Sequence, residues 1–315
     1  MQKEVVVLGG NGFLGTNLCE ALWSKGIKPI VLDKSLGCDL ATDDGQKMFG
    51  NALHSLCSID EIDIIMMAAC LGSTLFDTNP LTPYLENKAI NEKCIETMMH
   101  FSNPTSKFHI SFYSTSEVYG NIDPANVPKK LVTTIDPLYS RSLYAQEKLA
   151  TETVLHYLRE IGKIKSLRVF RPFNVSGKWQ KRGVVYEMVK TAVLERQIRY
   201  TANQTREITS AKRATEMALH AVISREEETI DLTSKNHISL KDLAWSIKDV
   251  LVWIDPIRYA TIDIVEDPPI DSYIKTRGTV NVLSTDYEKK AFSQRLFESH
   301  IIEDVISTLV TTMLS

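Results

Sequence analysis

Residues 4–15, EVVVLGGNGFLG, decide the fold of this 315-residue chain. Three consecutive valines form a short β-rich run, and glycines follow at positions 9, 10, 12 and 15. Residues 16–25 then carry Leu18, Ala21 and Leu22 at helical spacing, and Gly26 stands where the residue after a helix end belongs. The stretch therefore predicts a strand, a tight glycine turn and a helix, in that order.

This glycine turn has the spacing of a dinucleotide-binding loop, in which glycines allow a tight turn and a close backbone approach to a pyrophosphate. The helix N-terminus then favours the phosphate charge. Thr16 follows Gly15 where a P-loop requires a lysine, so a P-loop is excluded. The residues expected to contact the cofactor here are Gly9, Gly12, Phe13, Leu14 and Gly15.

Asp33 ends the second predicted strand, about 20 residues after the glycine turn, where a carboxylate accepts ribose hydroxyls and repels a 2′-phosphate. The sequence therefore favours NAD over NADP as the cofactor. The neighbouring Lys34 keeps NADP open as an alternative.

The first 175 residues alternate short apolar runs with helical patterns. The predicted strands are residues 4–8, 29–33, 62–69, 108–114 and 164–170. Helices are predicted at 16–25, 83–101 and 143–160. This alternation predicts an α/β fold with a doubly wound parallel sheet of the Rossmann type, covered on both faces.

Beyond residue 175 the pattern changes to helices at 184–196, 209–223, 239–252 and 301–314, separated by short β segments at 229–232 and 260–265. We expect a cofactor-binding domain at 1–175 and a smaller α/β lobe at 176–315, with the chain able to cross between them. A cleft between two lobes is the default place for a substrate.

Composition excludes several classes of protein. The net charge is −3 and the apolar fraction is 43%, which argues against a nucleic-acid or membrane-surface protein. Glu4 lies where a signal peptide needs apolar residues, so we predict a cytoplasmic protein. Five widely spaced cysteines indicate reduced thiols, and the histidines form no HxH or HExxH motif, so no metal site is predicted.

A tyrosine and a lysine four residues apart share one helix face, and the ammonium lowers the phenol pKa, which makes the tyrosine a base. The spacing occurs three times, at Tyr84/Lys88, Tyr144/Lys148 and Tyr186/Lys190. A hydroxyl partner for the reacting alcohol is best placed at the carboxyl end of a parallel strand. Only Tyr144 opens the helix after the strand that ends in Ser114 and Thr115, so we select Tyr144 and Lys148.

Four motifs in this order resemble the extended short-chain dehydrogenases/reductases, which act on nucleotide sugars. They are GGNGFLG, STSEVYG, RSLYAQEK and RPFNVSG, and residues 204–207 and 239–247 match C-terminal landmarks of that family. The resemblance implies a Rossmann domain that binds NAD(P) and a C-terminal lobe that binds a nucleotide diphosphosugar. It also implies a homodimer formed through the helices at 83–101 and 143–160.

The resemblance also implies roles for individual residues. Tyr144 resembles the family's base, Lys148 the residue that holds the nicotinamide ribose, and Thr115 the residue that hydrogen-bonds the sugar 4-hydroxyl. The other matched positions are Asp39 and Leu40 beside adenine, Ala68 and Ala69 along the cofactor ribose, Asn174 near the diphosphate, Arg206 and Arg277 at the nucleotide, and Asn91 or Asn87 as a structural asparagine.

The expected reaction is oxidation of the sugar C4 hydroxyl to a 4-keto sugar, with net 4-dehydrogenation or 4-epimerisation. Ser116 and Glu117 flank Thr115 and keep two alternatives open, a 4,6-dehydratase and a UDP-glucuronate-type decarboxylase that use Glu117. A third alternative is a non-catalytic NAD-binding sensor. Residues 66–70 lack the family's usual histidine, and residues 179–183 contain few of its usual glycines and prolines, which indicates a divergent member.

Overall fold

The computed structural model describes residues 4–69, 79, 81–101, 107–119, 142–234, 237–268 and 291–314. Their contacts divide them into two compact units. The first unit contains the described residues of 4–119, together with 142–172 and Thr215–Leu232. The second contains Phe173–Ala214 and the described residues after 232. The expected domain boundary at residue 175 stays a prediction.

The described residues contain strands and helices in alternation. The strands are β1 (Glu4–Leu8), β2 (Ile30–Leu32), β3 (Ile62–Met66), β4 (Phe108–Tyr113), β5 (Ser166–Pro172), β6 (Asn174–Ser176), β7 (Gln197–Thr201), β8 (Thr205–Ser210), β9 (Glu228–Leu232), β10 (His237–Ser239) and β11 (Asp263–Asp267). The helices are α1 (Phe13–Ser24), α2 (Asp43–Ser55), α3 (Leu81–Phe101), α4 (Ser142–Glu160), α5 (Val184–Glu195), α6 (Ala211–Ser224), α7 (Leu240–Ile254), α8 (Pro256–Tyr259) and α9 (Ala291–Leu314).

The first unit is built on a six-stranded parallel sheet in the order β2-β1-β3-β4-β5-β9. Val6, Ile64 and Ile110 pair across neighbouring strands and join one apolar core with residues of α2, α3 and α4. Val5 and Ile65 alternate with them and are equally buried, so both faces of the sheet are covered. The predicted doubly wound α/β fold is confirmed.

One face of this sheet buries a polar strip as well as apolar side chains. Arg168 on β5 is fully buried, and its Nε donates to Ser111 Oγ at 2.9 Å. Its Nη2 lies 3.3 Å from Asp63 Oδ1 on β3, and Arg225 Nη2 lies 2.9 Å from the other Asp63 oxygen. The strip therefore pairs its buried charges within the first unit.

The structure corrects three sequence expectations. Helix α2 was not predicted, although its sequence contains two helix signals. Thr42 caps the helix, because its Oγ1 accepts from Gly45 N, and Phe49 and Leu53 lie one turn apart on the buried face. The segment at 229–232 was assigned to the C-terminal lobe, but β9 pairs with β5 in the first sheet because the chain crosses back. Helix α9 begins at Ala291, ten residues before its apolar pattern.

The second unit contains two small sheets and a core of its own. Strands β10, β8 and β6 form one sheet, and β11 pairs with β7 in the other. Residues of α5, α7 and α9 supply most of the core around them. Ser239 caps α7 as predicted, because its Oγ accepts from Asp242 N at 2.9 Å. None of the described helices combines the length and the hydropathy that a membrane crossing needs.

Candidate active site

The glycine turn after β1 brings backbone segments into a contact that side chains would prevent. Gly9 has a φ of +85°, and a Cβ there would lie 2.6 Å from the backbone nitrogen of Ala68. A Cβ on Gly15 would lie 2.3 Å from the carbonyl oxygen of Gly9. Both distances are far below van der Waals contact, so both positions require glycine.

Helix α1 begins at Phe13, directly after this turn, with Leu14 and Gly15 in its first turn. Gly12 is the N-cap residue and supplies no side-chain cap. The first N–H groups of a helix lack intrahelical partners and lie at the positive end of its dipole. The predicted turn residues therefore form a backbone site that suits an anion such as a pyrophosphate.

Asp33 follows β2 and folds back onto the glycine turn. Its Oδ2 accepts from Asn11 N at 3.0 Å, and its Oδ1 accepts from Ser35 N at 2.9 Å and from Ser35 Oγ at 2.8 Å. An ionised carboxylate has about four acceptor positions. Three of them are used in the structure, and the remaining capacity suits a hydroxyl.

Lys34, the residue that left NADP as an alternative cofactor, forms ion pairs with two carboxylates. Its ammonium lies 2.8 Å from Asp39 and 3.4 Å from Glu86. The hydrogen bond to Asp39 raises the pKa of Lys34, and the same bond holds the pKa of Asp39 below its usual range. The ammonium is therefore already paired on the surface beside Asp33.

Two further predicted cofactor segments are residues 68–69 and residues 39–40. Ala68 and Ala69 follow β3 and are half-buried, and the Ala68 backbone lies against Gly9. Leu40 is buried, and its carbonyl accepts from Gln46 Nε2 at 2.5 Å. Asp39 Oδ1 accepts from Ala41 N at 3.1 Å, which fixes this loop before α2.

Tyr144 and Lys148 lie on the buried face of α4, with 5% and 2% of their surfaces exposed. Lys148 Nζ lies 5.9 Å from the centre of the Tyr144 ring and 4.8 Å from that of Phe112 on β4. Burial lowers the pKa of Lys148, and the carboxylates of Glu147 and Glu152 act in the opposite direction. The structure thus places an ammonium beside the Tyr144 ring.

The two other Tyr–Lys pairs have different surroundings. Lys88 Nζ lies 3.6 Å from Glu92, and the Lys88 side chain is 48% exposed. Lys190 Nζ lies 3.9 Å from Glu187, and its side chain is 45% exposed. Both are solvated ion pairs within a helix, whereas the ammonium of Lys148 is withdrawn from solvent.

Thr115, Ser116 and Glu117 follow β4 and are all buried. Thr115 Oγ1 accepts from Glu117 N at 3.2 Å, which leaves the hydroxyl proton of Thr115 to be donated elsewhere. The short 3₁₀ turn Ser116–Tyr119 packs against α4. The structure therefore brings the predicted hydroxyl residue and the predicted Tyr–Lys helix together within one unit.

Two of the predicted substrate residues, Asn174 and Arg206, lie in the second unit. Asn174 is on β6 and pairs with Ile208 on β8, two residues beyond Arg206. The Arg206 guanidinium donates to the Thr205 carbonyl and to Gln204 Oε1, each at 2.8 Å. Arg277 lies outside the described residues.

Sequence reasoning gave Asn91 a structural role but missed its buried partner Glu147, and it also missed Arg171. Asn91 Nδ2 donates to Glu147 Oε1 at 2.6 Å and joins α3 to α4, 56 residues apart in the chain. Arg171 belongs to the RPFNVSG motif but was given no role, although it is a buried cation at the end of an apolar strand. Among the residues that the structure describes, no three or more His, Cys, Asp or Glu side chains are grouped to hold a metal ion.

Sequence comparison relates this chain to nucleotide-sugar enzymes. The model of the NAD dependent epimerase/dehydratase family matches residues 5–230. A UDP-glucose 4-epimerase of Lacticaseibacillus casei is 27% identical over 180 residues, which are 55% of this chain and 52% of that protein. UDP-glucuronic acid decarboxylase 1 of Arabidopsis thaliana is 30% identical over 193 residues, 55% of this chain and 40% of the relative. The chain thus matches about half the length of these relatives, or less.

Solved structures share the fold over nearly the whole chain. A UDP-glucose-4-epimerase from Stenotrophomonas maltophila with bound NAD has a TM-score of 0.72 at 16% identity and covers 99% of this chain and 100% of its own. The NAD complex of the Thermus thermophilus UDP-glucose 4-epimerase has a TM-score of 0.71 at 15% identity, covering 96% and 99%. At such identities the likeness establishes the fold.

The glycine turn makes the first prediction. In Gly15→Ala the new methyl group must displace the Gly9 and Gly10 backbone, which we expect to weaken NAD binding by about tenfold or more, since overpacking costs about 1–3 kcal/mol. Titration of the purified chain with NAD measures this. Gly50→Ala is the control, because its Cβ meets only the Phe101 ring at 3.4 Å. Equal NAD affinity of Gly15→Ala and the unaltered chain would contradict the proposed binding turn.

Proposed function

Because the chain belongs to the NAD dependent epimerase/dehydratase family, we propose that it oxidises the C4 hydroxyl of a nucleotide diphosphosugar to a 4-keto sugar. The net reaction is then 4-dehydrogenation or 4-epimerisation, with NAD as the cofactor. The observation that carries this proposal is the burial of Lys148 beside Tyr144, on a helix packed against the turn that follows Thr115. The curated 4-epimerase relative supports the same reaction type.

In the proposed reaction Tyr144 acts as the base. Its phenolate takes the proton of the sugar O4, the C4–H bond gives up its electron pair as hydride, and the C4–O bond becomes a carbonyl. NAD, when bound, accepts that hydride. The Lys148 ammonium favours the phenolate over the phenol, because opposite charge stabilises the ionised form.

Thr115 orients the sugar in this proposal. Its oxygen already accepts from Glu117 N, so its own proton can point to the sugar O4. The buried position of Thr115 limits competing water. A reacting alcohol held by Thr115 and Tyr144 is fixed for transfer of both its proton and its hydride.

The cofactor residues fit a bound dinucleotide. We propose that Gly9, Gly12, Phe13, Leu14 and Gly15 hold the pyrophosphate, because a Cβ at Gly9 or Gly15 would collide with the backbone. The remaining acceptor capacity of Asp33 suits a ribose hydroxyl, and its charge disfavours a 2′-phosphate. The other proposed contacts are Asp39 and Leu40 beside adenine, Ala68 and Ala69 along the ribose, and Lys148 at the nicotinamide ribose.

The substrate assignment extends to the second unit. We propose that Asn174 lies near the sugar diphosphate and that Arg206 and Arg277 contact the nucleotide. Arginine suits this task because its planar guanidinium pairs with two phosphate oxygens at once. Asn174 and Arg206 lie on neighbouring strands of one small sheet, which favours a shared ligand.

Glu117 supports a second candidate reaction. It is buried within two residues of Thr115, where a carboxylate could remove a C5 proton or assist carbon–carbon cleavage. The Arabidopsis thaliana decarboxylase relative favours this option. Ser116 is not an acid, which disfavours a dehydratase that uses an Asp–Glu pair.

A panel of UDP-, GDP-, CDP- and dTDP-sugars with NAD tests the proposed function. We expect one class of sugar to give NADH absorbance or a new sugar by mass spectrometry. A non-catalytic sensor predicts that NAD binds and that no sugar in the panel changes. That result would overturn the enzymatic proposal while leaving the fold assignment intact.

Tyr144→Phe removes the proposed base and keeps the ring. We expect turnover to fall by about 10²–10⁴-fold, which is the usual contribution of a general base, while NAD affinity changes little. Tyr186→Phe is the matched control, since Tyr186 has the same spacing to a lysine and is also buried. Steady-state kinetics and NAD titration measure both effects. Turnover of Tyr144→Phe near that of the control would refute the base assignment.

Glu117→Gln separates the two reaction types. For 4-dehydrogenation or 4-epimerisation we expect turnover within about tenfold of the unaltered chain, because no essential proton transfer is assigned to Glu117. Reactions in deuterated water, read by mass spectrometry, report exchange at C5. Exchange in the unaltered chain that disappears in Glu117→Gln would assign a dehydratase instead.

We also propose that the chain forms a homodimer through α3 and α4. The two helices pack on each other and expose apolar side chains that are spaced one helical turn or two apart. These exposed residues are Leu81 and Leu85 on α3 and Val154 and Tyr157 on α4, and Ile161, also exposed, directly follows α4. Exposed apolar groups on adjoining helices are typical of protein interfaces.

Tyr157→Glu tests this dimer, because it places a charge on the 63% exposed tyrosine of α4. We expect the variant to sediment as a monomer and the unaltered chain as a dimer. Trp253→Glu on α7 is the control, since that tryptophan is 76% exposed but lies outside the two helices. A monomeric unaltered chain, or a dimeric Tyr157→Glu, would contradict the interface.

A further inference from the structure

A buried ion pair joins β5 to α4 within the first unit. Arg171 Nη2 lies 2.5 Å from Glu152 Oε2, and Arg171 Nε donates to Glu152 Oε1 at 3.1 Å. Their side chains are 8% and 3% exposed. Burial opposes the charge of Arg171, but the Glu152 carboxylate outweighs it and raises the Arg171 pKa. The contact is therefore a two-point pairing between a guanidinium and a carboxyl group.

The pair extends to the end of β4 and to the turn after it. Ser114 Oγ donates a short hydrogen bond to Glu152 Oε1. Arg171 Nη1 donates to the Tyr119 hydroxyl at 2.9 Å, and that hydroxyl donates to Asp231 Oδ1 on β9 at 2.7 Å. These contacts connect three strands, the 3₁₀ turn and α4, and we call the set of Ser114, Tyr119, Glu152, Arg171 and Asp231 the clamp.

The clamp lies close to Thr115 and Glu117 in the chain and one helical turn from Lys148. Ser114 directly precedes Thr115, and Tyr119 closes the 3₁₀ turn that contains Glu117. Glu152 lies four residues after Lys148 on α4, so the two side chains share a helix face. No member of the clamp has been given a role in the chemistry above.

We propose that Arg171 and Glu152 are positioning residues, which hold the Tyr144–Lys148 helix at a fixed distance from the strand end that carries Thr115. This inference rests on the proposed function, because it assigns the clamp to that same site. Apolar side chains would stabilise such a helix contact equally well, since a buried ion pair recovers little net energy. What the two-point pairing adds is a defined geometry, and a misplacement of about 1 Å costs about 10²-fold in rate.

The pair also holds charge near the proposed base. Among the described residues, the buried charged and titratable groups on this helix and on the elements around it include Glu147, Lys148 and Glu152 on α4, Glu117 and Tyr119 in the turn, His109 and Tyr113 on β4, and Arg168 and Arg171 on β5, with Asp231 half-buried on β9. Arg171 neutralises Glu152, so loss of either partner leaves one charge of known sign close to Lys148. If the pair had a purely structural role, replacing Glu152 and replacing Arg171 would not shift the pH dependence of kcat in opposite directions.

Arg171→Lys, Arg171→Met and Glu152→Gln test the inference in the full-length chain. We expect each to lower kcat by about tenfold or more through misplacement, with the KM for the sugar within about threefold. Arg168→Lys is the matched control, because Arg168 is a buried, ion-paired arginine on the same strand whose partners are Asp63 and Ser111. Equal loss of kcat in Arg168→Lys would reduce the clamp to a structural element and overturn the proposal.

The pH dependence of kcat supplies the second measurement. Glu152→Gln leaves the positive charge of Arg171, which favours the Tyr144 phenolate. The acid limb of its pH profile, where kcat falls as the tyrosine gains a proton, therefore moves to lower pH. Arg171→Met leaves a negative charge and moves that limb to higher pH, whereas Arg171→Lys keeps the charge and leaves it in place. Shifts of the same sign in Glu152→Gln and Arg171→Met would contradict the proposal.

Tyr119→Phe is a milder variant that removes only the hydroxyl shared by Arg171 and Asp231. We expect it to remain folded and to lose about threefold or more in kcat with KM unchanged, because the Arg171 guanidinium then lacks one of the hydrogen bonds that fix its position. Kinetics at the wild-type level in a folded Tyr119→Phe would remove Tyr119 from the clamp and count against positioning.

Hydrogen exchange separates failure of this inference from failure of the proposed function. If no nucleotide sugar is turned over, the function fails, but the clamp still predicts faster amide exchange in Arg171→Lys than in Arg168→Lys. The predicted segments are the Glu152 half of α4 and residues 114–119. Equal exchange in the two variants would overturn the clamp, whatever the substrate panel shows.

Discussion

Parallel pairing of β1, β3, β4 and β5 is the constraint on which the candidate site depends. Strands that run in one direction end at one edge of their sheet, so the segments after them meet there. Gly9, Ala68, Thr115 and Arg171 all stand at or just beyond those strand ends. Apolar side chains on both faces fix the register, and the register brings four distant parts of the sequence to one place.

Burial of charge is the second constraint, and the first unit meets it in two ways. Arg171 and Arg168 are buried with carboxylate partners, so their charges are compensated. Lys148 lies instead against the rings of Phe112 and Tyr144, and burial lowers its pKa. Burial of this ammonium lowers the stability of the folded chain, but it places a positive charge beside the Tyr144 phenol. The carboxylates of Glu147 and Glu152 offset part of that cost, because they favour the charged form of Lys148.

Local sequence signals predicted the strands of the sheet, the glycine turn and a Tyr–Lys pair that the structure buries. Each of these features depends on residues that are close together in the chain. The choice of Tyr144 over Tyr84 and Tyr186 followed from strand order, and the exposure of Lys88 and Lys190 supports it. Contacts between distant residues left no such signal. Glu152 and Arg171 lie on different elements, and nothing in their spacing indicates that they meet. The segment of β9 was expected among the elements of the C-terminal lobe, and its pairing with β5, some sixty residues earlier, left no local signal either.

The arrangement also explains why the overall reaction is harder to assign than its first step. Oxidation at C4, as proposed, needs a bound dinucleotide and the side chains of Tyr144, Lys148 and Thr115. All three residues lie in the first unit. In the same proposal, the fate of a 4-keto sugar depends on Glu117 and on the residues of the second unit that are proposed to bind the nucleotide sugar. The curated relatives of this chain include both a 4-epimerase and a decarboxylase, at 27% and 30% identity. One fold hosts different reactions when the residues that carry the chemistry vary while the scaffold is kept.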